Sequence, residues 1–181
     1  MKVEEKTIKE NVVFQGRIIT VRDDTVLLPD GNTARREVVA HNGGVCVAAL
    51  TDDDSLYFVS QFRYPYKEVI LELPAGKIDK GENPYDAGIR EALEETGCKV
   101  KTMQSLGEFY PTPGYCGEKI YLYWTNDFEM EKQKLDEDEF LNVEKIPFSK
   151  ALEMVMSGEI KDGKTQAIVL KLAVMKKEGK I

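Results

Sequence analysis

Residues 17–28 read RIITVRDDTVLL, a stretch rich in β-branched residues, and break at Pro29-Asp30-Gly31-Asn32 before a second extended run over 33–39. The first forty residues read as strands in this way, a sheet region small for an independent domain. The pattern next predicts a hairpin, with strands 45–50 and 56–62 around Asp52-Asp53-Asp54. Residues 69–73 form a short strand running into Pro74-Ala75-Gly76. Further strands are expected around 104–110, 119–125 and 140–146; the run Ile120-Tyr121-Leu122-Tyr123-Trp124 alternates as a core strand does. The highly charged stretch 129–139 reads as an exposed loop. Ser149 is placed to cap a helix ending near Gly158, and a last helix over 165–177 sets Ile168, Leu172 and Met175 on one face. Strands, a helix, strands, then helices give an α+β or α/β layered domain, a mixed sheet covered by helices. There is no internal repeat and no low-complexity segment.

The remaining helix carries the chemistry. Asn83 is its expected N-cap, Pro84 suits the first helical position, Asp86 lies in the favourable first turn, and Gly97 is placed to end it in a left-handed conformation. Ile89, Ala92 and Leu93 supply an apolar face, while Glu91, Glu94 and Glu95 share another. These three glutamates sit in the C-terminal half, where the backbone dipole already repels negative charge, and Glu91 repels Glu95 one turn away. Arg90 can pair with Glu94, but one arginine cannot neutralise three carboxylates. A solvated acidic face is the plain alternative; the unfavourable dipole placement favours a cation site instead.

The run from Gly76 to Cys98, GKIDKGENPYDAGIREALEETGC, resembles the Nudix box, G-x5-E-x7-R-E-U-x-E-E-x-G-U with U a bulky apolar residue. Gly76, Glu82, Arg90, Glu91, Glu94, Glu95 and Gly97 fill the defined positions; Ala92 and Cys98 at the U positions are small. The resemblance implies an α/β/α sandwich over residues 41–181, preceded by the N-terminal β region 1–40, and hydrolysis of a diphosphate with divalent metal. Glutamate oxygens are hard donors suited to Mg²⁺ or Mn²⁺, two or three per site. Carried over residue by residue, Glu91 and Glu95 are the main ligands, Glu94 a further ligand or a catalytic group, and the carbonyl of Ala75 often joins them. Glu82 is a nearby ligand or supports one, and Arg90 orients the glutamates through ion pairs.

Segments outside the box narrow the substrate. Tyr110-Pro111-Thr112-Pro113-Gly114, with Pro113 fifteen residues past Cys98, resembles the ADP-ribose pyrophosphatase subfamily, although a Pro-Gly pair alone is merely a turn. Leu135-Asp136-Glu137-Asp138-Glu139-Phe140 resembles that subfamily's acidic loop, with Glu137 at the general-base position and Glu139 a further metal-proximal carboxylate; a solvated charge run, or a box glutamate as base, are the alternatives. Arg63, Glu72, Pro113, Gly114 and Glu118 match substrate-contact segments: Arg63 for a phosphate oxygen, Glu72, which alternates with Leu71 and Leu73, for a ribose or adenine. In the subfamily the N-terminal strands exchange between subunits, so a homodimer is expected, with Phe14 a candidate to stack on adenine. The implied reaction is ADP-ribose to AMP and ribose 5-phosphate. The alternatives are another nucleotide sugar such as GDP-mannose, or a non-catalytic Nudix-fold regulator.

Bulk properties agree. A net charge of −7 argues against nucleic-acid binding, and against anionic substrates unless a metal and local arginines reverse the field. No apolar run is long enough to span a membrane and the start MKVEEKTIKE is polar, so a cytoplasmic protein without membrane partners is expected. Cys46, Cys98 and Cys116 have no metal-ligand spacing and are expected as reduced thiols; His41, the only histidine, reads as a loop or strand-end residue.

Overall fold

A central strand must satisfy its backbone N–H and C=O groups on both edges, and the strand over residues 19–27 does so. The computed structural model describes residues 2–135 and 139–181 and divides them into two units. In the first unit, β3 (Ile19–Leu27) pairs over its whole length with β4 (Thr33–His41), from Ile19 opposite His41 to Leu27 opposite Thr33. On β3, β1 (Lys6–Lys9) and β2 (Val12–Gln15) pair in tandem, all antiparallel. The connecting turn is closed as the sequence expects: Gly31 takes φ 89° and its N–H donates to the Leu28 carbonyl. Residues 110–119 join this unit, hydrogen-bonded along β4 through Val39 N–H to Tyr115 O and Gly117 N–H to Val39 O.

The second unit, residues 44–109 and 120–181, holds two sheets and three helices. Its mixed sheet runs β8 (Ala75–Lys77), β5 (Gly44–Ala49), β10 (Ile120–Met130), β9 (Cys98–Phe109), with β5 and β10 parallel. The other sheet is antiparallel: β11 (Leu141–Pro147), β6 (Ser55–Arg63), β7 (Glu68–Glu72). Strand β5 shows how the layers form. Val45, Val47 and Ala49 face a cluster with Ala87 and Ala92 of α1 (Pro84–Thr96). Cys46, Ala48 and Leu50 face a second cluster with Ala151 and Val155 of α2 (Phe148–Ser157) and Ile168 and Leu172 of α3 (Gly163–Lys177). Helices therefore cover both faces, the sandwich expected of an α+β chain. Among the described residues, no helix is long and apolar enough to cross a membrane.

Three expectations need correction. Strands β5 and β6 do not form a hairpin; only a Leu50–Leu56 bridge joins them, and each pairs elsewhere. The Asp-rich turn does reverse the chain, with Thr51 N–H bonded to Ser55 O. But β5 is buried on both faces and takes a central place between β8 and β10. Ser149 is not a cap: α2 starts at Phe148, whose N–H donates to Asp54 O, so a tertiary contact meets the need. The charged stretch 129–139 does not begin as a loop, since Glu129 and Met130 still belong to β10; Pro74 leads into the short strand β8, with Ala75 opposite Cys46 and Gly76 opposite Val45.

Candidate active site

Helix α1 starts and stops where its sequence demands. Asn83 Oδ1 accepts from Tyr85 N–H at 2.8 Å, Pro84 opens the helix, and Gly97 closes it at φ 77°. Gly97 also allows a close crossing, because a Cβ there would lie 2.4 Å from Glu131 O. The following chain caps the helix end: Glu131 N–H donates to Gly97 O, Lys134 N–H to Glu94 O and Gln133 Nε2 to Glu95 O. Glu139, further along this segment, is exposed yet near enough for its charge to act on Glu91 and Glu95. Glu137 lies outside the described residues.

Arg90 is the hub. Its guanidinium reaches Glu82 twice (2.9 and 3.0 Å), Glu91 Oε1 (2.8 Å), Glu94 Oε2 (2.9 Å) and the Lys77 carbonyl (3.0 Å). Glu82 in turn accepts from Asp79 N–H at 2.9 Å, and the Arg90 contact holds its carboxyl below the ordinary range. Arg90 thus ties the loop before the helix to the helix's acidic side.

Glu91 and Glu95 turn inward, only 7% and 3% exposed. Glu95 Oε2 accepts from Ala75 N–H at 2.8 Å. The Glu91 carboxylate lies against Gly76, where a Cβ would come within 1.9–2.1 Å of it. Burial pushes Glu91 up to about 7, with Arg90 opposing and Glu94 and Glu139 adding repulsion. Burial pushes Glu95 up to about 8, against the Ala75 hydrogen bond and with repulsion from Glu91 and Glu139. Among the described residues no three acidic, cysteine or histidine groups close on one point. Two buried, mutually repelling carboxylates beside a backbone cradle nonetheless fit a hard divalent cation, which would supply the missing positive charge.

That charge deficit has a thermodynamic sign. Both carboxyls hold protons in the folded chain that the unfolded chain releases near 4.5, so the stability they contribute is fully present below that pH. It is then lost as pH rises toward about 7 and about 8, by up to ~1.4 kcal/mol per pH unit per group. The melting temperature of chelator-treated protein should therefore fall from pH 5 to pH 8, and Mg²⁺ should abolish the fall. A flat metal-free profile in calorimetry would show that burial and mutual repulsion do not hold the two carboxyls above the ordinary range.

A second cluster forms beside the first. Arg63 grips Glu72 bidentately, Nε to Oε1 at 2.5 Å and Nη2 to Oε2 at 2.7 Å. Arg63 acts electrostatically on Glu95, so the two clusters share one field. Glu72 is 2% exposed and its Oε2 also binds Lys164. Glu72, expected at a ribose or adenine, is buried and held by Arg63 and Lys164, as a buried anion requires. Lys164, Asp162 and Thr165 of the α3 start were not foreseen; the available signal was Glu72 itself, a charge on a strand between leucines, which demands a partner.

Pro113, Gly114 and Glu118 belong to the first unit. Pro113 and Gly114 are exposed, and Glu118 Oε1 stands 3.6 Å from His41 Nδ1, which accepts from Gly43 N–H. Phe14, on β2, is 56% exposed.

Comparison with known proteins shows what the chain is similar to. Residues 40–165 match the NUDIX domain model and residues 5–39 the nucleoside diphosphate sugar hydrolase N-terminal domain. An ADP-ribose pyrophosphatase of Bacillus subtilis is 40% identical over 90% of this chain and 89% of its own length. A methanol dehydrogenase activator of Bacillus methanolicus is 40% identical over the same shares, 90% and 89%. A crystal structure of an ADP compounds hydrolase superposes with TM-score 0.82 over 100% of both chains at 19% identity, a likeness of fold.

Proposed function

The chain belongs to the Nudix family, and on that premise we propose that it hydrolyses the diphosphate of ADP-ribose, releasing AMP and ribose 5-phosphate. The observation that carries this reading is the buried Glu91–Glu95 pair, cradled by Gly76 and wanting a cation. Nudix hydrolases depend on divalent metal; here Mg²⁺ or Mn²⁺, two or three ions, would be held by Glu91, Glu95 and the Ala75 carbonyl, with Glu82, Glu94 and Glu139 close by. When bound, such ions would supply positive charge to offset the negative charge of the phosphate oxygens.

The protein's own groups do the rest. Arg90 fixes Glu82, Glu91 and Glu94 in register, so the carboxylates need not reorganise during reaction. Arg63, held by Glu72, presents a cation to an anionic substrate in a chain that is otherwise negative. Glu137 is the proposed acceptor of the attacking water's proton, with Glu94 the alternative. The pH–rate profile of E137Q should lose its rise with pH; an unchanged profile passes the role to Glu94. Pro113, Gly114 and Glu118 are proposed to contact the nucleoside side of the substrate.

A homodimer completes the reading. Ile8, Val12, Val13 and Phe14 are all more than half exposed on the N-terminal strands, an apolar surface that a second copy would cover. Sedimentation equilibrium should give twice the chain mass, and a stable monomer with full activity would remove the shared-site picture.

The deciding experiment is a panel of nucleoside diphosphate compounds with Mg²⁺, scored for released monophosphate. ADP-ribose should lead. Preference for GDP-mannose would move the substrate and leave the reaction standing; no release from any compound would refute the enzyme reading.

A further inference from the structure

Four charged side chains, Arg63 among them, meet where β6, β7 and the start of α3 come together. Glu72 comes from the end of β7, Asp162 and Lys164 from the start of α3, and Arg63 from the end of β6. Lys164 Nζ bonds Glu72 Oε2 and, at 2.8 Å, Asp162 Oδ1, with its side chain 11% exposed. Asp162 is simultaneously the α3 cap: its Oδ2 accepts from Thr165 N–H at 2.9 Å and from the Thr165 hydroxyl at 2.6 Å. Thr165 Oγ1 accepts from Leu73 N–H at 2.8 Å, which fixes the end of β7 to the same helix start.

Stability alone is a poor account of this arrangement. Desolvating a lysine and a glutamate costs several kcal/mol, and apolar replacements of similar volume commonly serve as well. The geometry has a different consequence. An arginine keeps its charge when it pairs with a carboxylate; what the carboxylate sets is its orientation. Glu72 Oε2 is held by Lys164 as well as by Arg63 Nη2, and Lys164 is held in turn by Asp162. The carboxylate that orients Arg63 is therefore itself fixed from the α3 side. The Arg63 side chain remains 36% exposed, and among the described residues no acceptor is bonded to its Nη1.

We propose that Lys164 is a positioning residue: it holds the Glu72 carboxylate from the α3 side, leaving the Arg63 guanidinium aimed to take a phosphate oxygen of the nucleoside diphosphate substrate. The proposal rests on the hydrolase reading given above and assigns Lys164 no contact with substrate.

The test compares K164M and K164R with the wild type, with and without R63A. K164M should raise KM for ADP-ribose ~10-fold with kcat within ~3-fold, the signature of lost ground-state binding. K164R should restore most of the affinity. In an R63A background K164M should add less than about 2-fold, because both changes remove the same interaction. A folded K164M with wild-type KM overturns the proposal, as does an effect of equal size without Arg63.

A substrate-independent readout separates this inference from the functional reading. Exchange of the Arg63 Nε–H, followed by ¹⁵N NMR, should be slow in the wild type and in K164R and at least ~10-fold faster in K164M. The Leu73 amide should be unchanged. Equal protection in K164M overturns the proposal whatever the enzyme hydrolyses; loss of protection supports it even if ADP-ribose is not the substrate. If K164M does not accumulate folded, K164Q, which keeps a donor but not the charge, carries the same two measurements.

Discussion

Glu95→Gln should fold normally and lose ~10²-fold or more in kcat, the scale expected when a group that stabilises transition-state charge is removed. Gln is nearly isosteric with Glu, and its amide oxygen can still accept from Ala75 N–H, the bond that Glu95 Oε2 makes at 2.8 Å. What disappears is the second of two buried negative charges. The apparent affinity for Mg²⁺ should therefore weaken with kcat. Stability should move the other way: a neutral amide no longer resists burial, so metal-free E95Q at pH 8 should melt no lower than the wild type. Its melting temperature should also fall less between pH 5 and pH 8, because only Glu91 still titrates there, at about 7. The combination matters, since a misfolded variant would lose activity and stability together. Full turnover in folded E95Q would remove Glu95 from the metal site and take the reading of the box with it.

Much of this site was legible because its determinants are local. Asn83, Pro84 and Gly97 fix where α1 begins and ends, and the offsets among Glu91, Glu94 and Glu95 follow from helical geometry alone. The inward turn of Glu91 and Glu95 was not legible. Helical spacing placed all three glutamates on a common face, but which of them meets Ala75 and Gly76 depends on where β8 docks on β5. The same limit explains the false hairpin. Strands β5 and β6 each looked ready to pair with the other, but β5 finds its parallel partner β10 more than seventy residues later, Gly44 opposite Ile120. Lys164 lies just before the helix expected over 165–177, with no local partner to mark it, and only the docking of α3 against β7 gives it Glu72. Local chemistry was visible; long-range partners of buried charges were not.

Gly76→Ala should produce a folded protein with kcat/KM lowered by ~10²-fold, for a steric reason that differs from the usual one for glycine. Gly76 is not among the glycines with positive φ, so its backbone suits alanine. The obstacle is the Glu91 carboxylate, whose atoms would stand 1.9–2.1 Å from the new Cβ. A carboxylate at the end of a flexible side chain can swing aside, so the stability cost should stay near the ~1–3 kcal/mol of a tolerated overpacking. Swinging aside, however, takes Glu91 from Arg90 Nη1, 2.8 Å away, and from the place proposed for a cation shared with Glu95. Activity should fall far more than stability, with a matching loss of Mg²⁺ affinity. Gly81→Ala supplies the contrast within the same segment. Gly81 has φ 85° and open space around its missing Cβ, so its substitution strains the backbone without touching a carboxylate. G81A should lower the melting temperature while leaving kcat/KM within a few-fold of wild type. If G76A instead kept its activity, the approach of Glu91 to the β8 backbone would be incidental, and the cradle would have to be sought around Glu95 and Ala75 alone.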